Sequence, residues 1–132
     1  MRKFLALVLL LTTAAALIGC GENSVEDRKE QAKYRRITPD EAQVLMKQEQ
    51  DYLILDVRSP EEQGHIPHAI NIPIECIGDV PPKELPDRNQ TIFVYCSKGV
   101  RSMNVSNRLA HMGYKNIVEM GGLQDWNGEL VK

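Results

Sequence analysis

The sequence predicts an α/β fold of three layers, with a central parallel sheet of about five strands and helices on both faces. Three observations lead there. Short, almost continuously apolar runs recur at residues 52–57, 91–95 and 117–120, the composition of strands covered on both sides. Stretches with helical spacing stand between them: Ala42, Leu45 and Met46, then Val105, Leu109 and Met112. Strands that alternate with helices pair in parallel, because each helix supplies the crossover that a parallel neighbour requires.

Each element follows from local chemistry. Thr38-Pro39-Asp40-Glu41 offers an N-cap threonine, a proline at the first helical position and a glutamate placed to close a capping box. Ala42, Leu45 and Met46 continue that helix with an apolar stripe. Tyr52-Leu53-Ile54-Leu55-Asp56-Val57 reads as a buried strand, and residues 69–73 as a shorter one closed by Pro73. Residues 91–95 and 117–120 give the next strand and the last clear one. The helix between them turns Val105, Leu109 and Met112 inward and stops at Gly113. These elements place one domain over residues 34–132.

Ahead of the domain, Arg2 and Lys3 precede an apolar run over residues 4–18, short for a membrane span and too uniformly apolar for a soluble helix. It ends in Leu17-Ile18-Gly19-Cys20, which resembles the lipobox of bacterial lipoprotein signal peptides, in which the cysteine is lipidated and becomes the mature amino terminus. That resemblance implies a signal peptide over residues 1–19, lipid on Cys20, and an extracytoplasmic chain anchored to a cell membrane or outer membrane. Gly21 and Glu22 provide no aspartate retention signal after Cys20, which points toward an outer membrane where one exists. Residues 20–33 are polar and charged without apolar period, as in a flexible tether. Loss of Arg2 and Lys3 from the 16 basic residues leaves 14 against 18 acidic ones. The interleaved charges of residues 26–36 form no basic face for a nucleic acid.

With Cys20 assigned to lipid, Cys76 and Cys96 remain, and no spacing rule pairs them. Cys96 ends an apolar strand and opens the loop Cys96-Ser97-Lys98-Gly99-Val100-Arg101-Ser102, which leads into a helix. A sulfur there lies among backbone N–H groups at a helix amino terminus, where negative charge is stabilised. Arg101 and Lys98 add cations that favour thiolate, the nucleophilic form. Sites on parallel sheets lie beyond the carboxyl ends of the strands, which is where Cys96 falls. The residues therefore point to a nucleophilic cysteine that holds an anionic sulfur species.

Four motifs then occur in order. Asp56-Val57-Arg58, Gly64-His65-Ile66-Pro67, Ala69-Ile70-Asn71-Ile72-Pro73 and the loop from Cys96 to Ser102 together resemble the signature of the rhodanese domain, with Gly121-Gly122-Leu123 and Trp126 near its end. The resemblance covers roughly residues 37–126 and implies a rhodanese-like fold and a sulfurtransferase that needs neither metal nor organic cofactor. On this sequence it makes Cys96 the nucleophile and persulfide carrier, taking sulfane sulfur from thiosulfate or polysulfide and passing it to a thiol or cyanide. The N–H groups from Ser97 through Lys98, Gly99, Val100 and Arg101 to Ser102 would cradle the sulfur. Arg101 would order the loop and neutralise the anionic donor, and Lys98 would face solvent at its mouth. Asp56 and Arg58 would serve mainly as scaffold, a structural ion pair that holds the following turn together, with a charged support that fixes the active loop as the alternative and Glu62 as a partner for Arg58. No protein partner is written in the motifs.

Other classes are set against this one. Cysteine phosphatases, and arsenate reductases with them, share a Cys–loop–Arg cradle but place five residues between Cys and Arg, where this chain has the four from Ser97 to Val100. A non-enzymatic persulfide carrier or sensor would use the same cysteine and cradle, and would show turnover only with its partner. The sequence also departs from the family at residues 59–68. Gln63 alone separates Glu62 from Gly64, and His68 stands where glycine is common, so a helical turn and an aromatic contact are expected to be lost. His65 and His68 lack further ligands for a metal. Cys76 reads as a small buried apolar residue, with a resolving thiol as the alternative, and Trp126 as the residue that packs the last helix on the core.

Overall fold

The computed structural model describes residues 33–132; the expectations placed on the leader, Cys20 and the tether through residue 32 lie outside the described residues. Five strands form one sheet in the order β1–β5–β4–β2–β3, comprising β1 (Arg35–Arg36), β2 (Tyr52–Asp56), β3 (Ile70–Asn71), β4 (Thr91–Cys96) and β5 (Ile117–Gly122). Every pairing is parallel. Two helices, α1 (Pro39–Gln48) and α2 (Val100–His111), cover the sheet, and short 3-10 turns follow β3 at Ile74–Cys76 and β5 at Leu123–Asp125.

The strand period of two divides the core between the two faces. On β4, Ile92, Val94 and Cys96 join Leu55, Val57 and Ile117 beneath Val105 and Leu109 of α2. Phe93 and Tyr95 point the other way, toward Ala42, Leu45 and Met46 of α1 with Ile54, Val118 and Met120. Tyr52 meets Phe93 edge-on, with ring centroids 5.4 Å apart. Side chains of this kind, when fully buried, each supply about 1.5–3 kcal/mol of hydrophobic stabilisation.

The capping box of α1 is formed as its residues dictate. Glu41 N–H donates to Thr38 Oγ1 at 3.2 Å, and Thr38 N–H donates to Glu41 Oε2 at 2.8 Å. Gly113 closes α2 at φ +94°, a backbone region open to glycine and costly for other residues.

Several elements differ from their sequence assignments. β1 is absent from the sequence reading, because its two exposed arginines carry no apolar signal; it is held through backbone pairing to Val118 and Glu119. No helix joins β2 to β3, in keeping with the shortened segment, and His68 there takes φ +68°. Backbone bonds of 2.8 Å in both directions pair His65 with Val131 near the carboxyl terminus. Cys76 is exposed rather than buried, since the 3-10 turn that carries it turns Ile77 inward instead. Trp126 follows a single 3-10 turn rather than a last helix, and packs against the α1 side of the core.

Candidate active site

β4 delivers Cys96 to the carboxyl edge of the sheet, on the α2 side. Three residues later Gly99 adopts φ +94°, and α2 begins at Val100. This tight entry turns two amides onto the sulfur. Gly99 N–H donates to Cys96 Sγ at 3.0 Å, and Ser102 N–H does so at 3.4 Å. The thiol donates to Ser102 Oγ at 3.4 Å. The sulfur thus occupies an amino-terminal helix cradle, where the unpaired N–H groups and the helix dipole stabilise an anion.

Burial pushes the Cys96 thiol up, but hydrogen bonding with the Ser102 side chain and with the amides of Ser102, Gly99 and Lys98 outweighs it, so the net shift is downward. The cradle therefore does the work of an adjacent general base in favouring thiolate. Lys98 and Val100 are exposed at the mouth, while Gly99 and Ser102 are buried.

Glu62 and Arg101 clasp the loop from the β2 side. Arg101 Nη1 donates to Glu62 Oε2 at 2.8 Å and Nη2 to Oε1 at 2.9 Å. Ser97 Oγ adds a 2.8 Å bond to Glu62 Oε1, and Ser59 N–H donates to Oε2 at 2.9 Å. The Arg101 bonds hold the Glu62 carboxyl down at about 2, against an ordinary 4.5. Glu62 in turn raises Arg101, with Cys96 contributing further. The pairing of Glu62 with Arg58 expected from sequence is corrected by this geometry: the short segment after β2 swings Glu62 over the active loop.

Arg58 meets Asp56, the ion-pair partner expected from the sequence. Its Nη2 donates to Asp56 Oδ2 at 2.8 Å and its Nε to Oδ1 at 3.0 Å, with both residues buried. Arg58 Nη2 also donates to the Gly64 carbonyl at 2.8 Å. Tyr95 O–H donates to Asp56 Oδ2 at 2.8 Å and accepts from Ile66 N–H at 3.1 Å. Burial and the Asp56 charge keep that phenol protonated. Asn71 Nδ2 donates to the carbonyls of Asp56 and Arg58. This network fixes the chain from Asp56 to Ile66, and so the platform from which Glu62 reaches Arg101.

The end of β5 closes the site from its other side. Val94 pairs with Glu119 but Cys96 with Gly122, so β5 carries an extra residue, with Gly121 at φ +82°. The loop lies directly on this bulge. A Cβ on Gly122 would collide with the Ser97 carbonyl and approach Lys98 Cα to 2.6 Å, so no side chain fits there. A cavity of about 280 Å³ lined by Tyr34, Thr91, Phe93 and Ile117 lies at the opposite ends of these strands and does not serve Cys96.

Comparison with known proteins bears on this geometry. The rhodanese-like domain family matches residues 38–129, a span that includes the whole site. The chain belongs to the rhodanese family. It is 40% identical over 73 residues to thiosulfate sulfurtransferase PspE of Escherichia coli, covering 54% of this chain and 70% of that one. It is 37% identical over 84 residues to the putative sulfurtransferase YtwF of Bacillus subtilis, covering 61% and 79%. Among solved structures, a rhodanese with anions from E. coli superposes with a TM-score of 0.56 at 37% identity, covering 61% of this chain and 98% of that one. A rhodanese-like domain protein from Staphylococcus aureus gives 0.60 at 33% identity, covering 72% and 92%. Sulfurtransferase chemistry is thus the activity of the family around this chain.

The rhodanese fold brings together Cys96, Ser97, Lys98, Gly99, Val100, Arg101, Ser102 and Glu62, and sets Asp56 and Arg58 behind them. Two residues at this end were not singled out from the sequence, Tyr95 and Glu119. Glu119 is a lone acid inside the apolar run of residues 117–120, and that mismatch was the available signal.

Proposed function

We propose that this rhodanese transfers sulfane sulfur from thiosulfate, or a related sulfur anion, to a thiol or cyanide acceptor through a persulfide on Cys96. The observation that carries the reading is the pair of amides, Gly99 and Ser102, aimed at Cys96 Sγ. In the first step the Cys96 thiolate attacks the outer sulfur of thiosulfate. A bond forms between the two sulfurs, the original sulfur–sulfur bond breaks, and sulfite leaves with its electron pair. In the second step the acceptor anion attacks the outer persulfide sulfur, and Cys96 leaves as thiolate. A low-pKa thiol suits both steps, because it is ionised when it attacks and is a good leaving group when displaced. The cradle stabilises the negative sulfur without proton transfer at the moment of reaction.

The exposed Lys98 supports an anionic donor, since it adds positive charge at the mouth of the loop. For the cellular setting, the proposal takes Leu17-Ile18-Gly19-Cys20 as a lipobox, with lipid on Cys20 and the domain outside the cytoplasm. Metabolic labelling with a radiolabelled fatty acid, in the parent chain and in Cys20→Ser, tests that part. Label in both chains or in neither would contradict it.

The enzymatic part is tested by thiosulfate:cyanide turnover of the full chain beside Cys96→Ala. Thiocyanate formation that disappears in Cys96→Ala is expected. Turnover retained by Cys96→Ala would contradict the proposal. Persulfide formation without turnover would favour a carrier that hands sulfur to a protein acceptor.

A further inference from the structure

Glu119 is buried on β5, with its carboxylate two hydrogen bonds from the nucleophile. Cys96 S–H donates to Ser102 Oγ, and the Ser102 hydroxyl donates to Glu119 Oε1 at 2.6 Å. The β5 bulge holds that carboxylate in place, because Gly121 N–H donates to Oε1 at 2.7 Å instead of joining the sheet ladder. Arg36 of β1 donates through Nε to Oε2 at 3.3 Å, and its side chain is largely exposed. The Glu119 side chain itself is only 2% exposed. An acid this buried is costly unless it is tied to a partner or a function, and the short contact to Ser102 leads toward the sulfur.

We infer that Glu119 and Cys96 share one proton through Ser102, so that Glu119 is a positioning residue which stores the thiol proton. The Cys96 proton passes to Ser102 Oγ while the Ser102 proton passes to the Glu119 carboxylate. The products are a Cys96 thiolate, an intact serine hydroxyl and a neutral Glu119 carboxyl. No proton leaves the protein, and a single negative charge moves from carboxylate to sulfur. Afterwards Ser102 donates to the thiolate and Glu119 donates to Ser102, so every bond of the chain is kept with its direction reversed. The charged groups that face the pair are Arg36 from β1 at the Glu119 end, and Arg101 from α2 with its partner Glu62 at the Cys96 end.

The inference rests on Cys96 being the nucleophile, and its test does not need sulfur transfer. The reduced full-length chain is alkylated with iodoacetamide across the pH range, and the peptide that carries Cys96 is quantified by mass spectrometry. A shared proton gives a rate that levels off between two separate rises, the second rise marking the loss of the second proton. In Glu119→Gln and in Ser102→Ala, a single titration replaces this level stretch, with the rate falling about tenfold per pH unit below its midpoint. A single titration in the parent chain would overturn the inference, and the parent profile decides even where a variant does not fold. A level stretch that survives Glu119→Gln would also overturn it, by assigning the low-pH thiolate to the amide cradle alone. No alkylation of Cys96 at any pH would remove the nucleophile itself, and the relay with it.

Discussion

Arg101 and Glu62 meet as two parallel N–H···O bonds of 2.8 and 2.9 Å, joining the first turn of α2 to the shortened segment after β2. The same carboxylate accepts from Ser97 Oγ, so Glu62 grips the active loop at both ends. Bidentate geometry of this kind fixes orientation as well as adding energy. Glu62→Gln keeps the size but cannot accept from both Arg101 nitrogens through charged oxygens. We expect its kcat/KM with thiosulfate to fall about tenfold, with Glu62→Ala falling further. Steady-state kinetics on the three chains checks this order.

The same pair makes a prediction for acid. Glu62 has its folded-state value lowered to about 2 from 4.5. A depressed carboxyl contributes stability that is complete above its unfolded value and is lost as pH falls through its folded value. The stability gap between the parent chain and Glu62→Gln should therefore be constant above about pH 5 and shrink between about pH 4.5 and 2. Urea unfolding at a series of pH values measures it. A gap that widens as pH falls would contradict the assignment.

Asp56 and Arg58 form a buried ion pair on which Tyr95 also depends. Asp56→Asn leaves the Arg58 guanidinium buried without its counter-charge. We expect a loss of about 3–5 kcal/mol, the cost found when one partner of a buried pair is removed. Equilibrium denaturation with unchanged m-value would confirm that the effect lies in stability.

Gly122 is set against the backbone of Ser97 and Lys98. In Gly122→Ala the methyl group must displace the loop, since neither neighbour is a flexible side chain. Overpacking of this kind costs about 1–3 kcal/mol, and a displaced cradle should lower turnover by about 10–100-fold. A variant with parent-like kinetics would show that the cradle tolerates movement of the loop.

The three apolar strands, the two helices and the capping box were legible because each satisfies a local rule. Residues 91–95 could be buried only on both faces, and Thr38 with Glu41 fixes the start of α1 wherever that helix packs. The loop from Cys96 to Ser102 was legible for the same reason, as a strand end that meets a helix start. What the sequence did not reveal depends on distant contacts. β1 exists only because β5 offers its edge to Arg35 and Arg36. Glu62 was matched to the neighbouring Arg58, whereas in the fold it reaches Arg101, 39 residues away. Cys76 looked buried by composition, yet it is exposed on a short turn beside which Ile77 is the buried residue. Glu119 gained meaning only once Ser102 was seen to lie between it and Cys96.

The central claim is that Cys96 carries sulfur as a persulfide. Its most direct test is the mass of the reduced full-length chain after exposure to thiosulfate, with the modified peptide identified. The account predicts a gain of one sulfur atom on the Cys96 peptide, absent in Cys96→Ala and removed by cyanide as thiocyanate. No gain by a folded, reduced chain, or a gain on Cys76 with Cys96 unmodified, would contradict it.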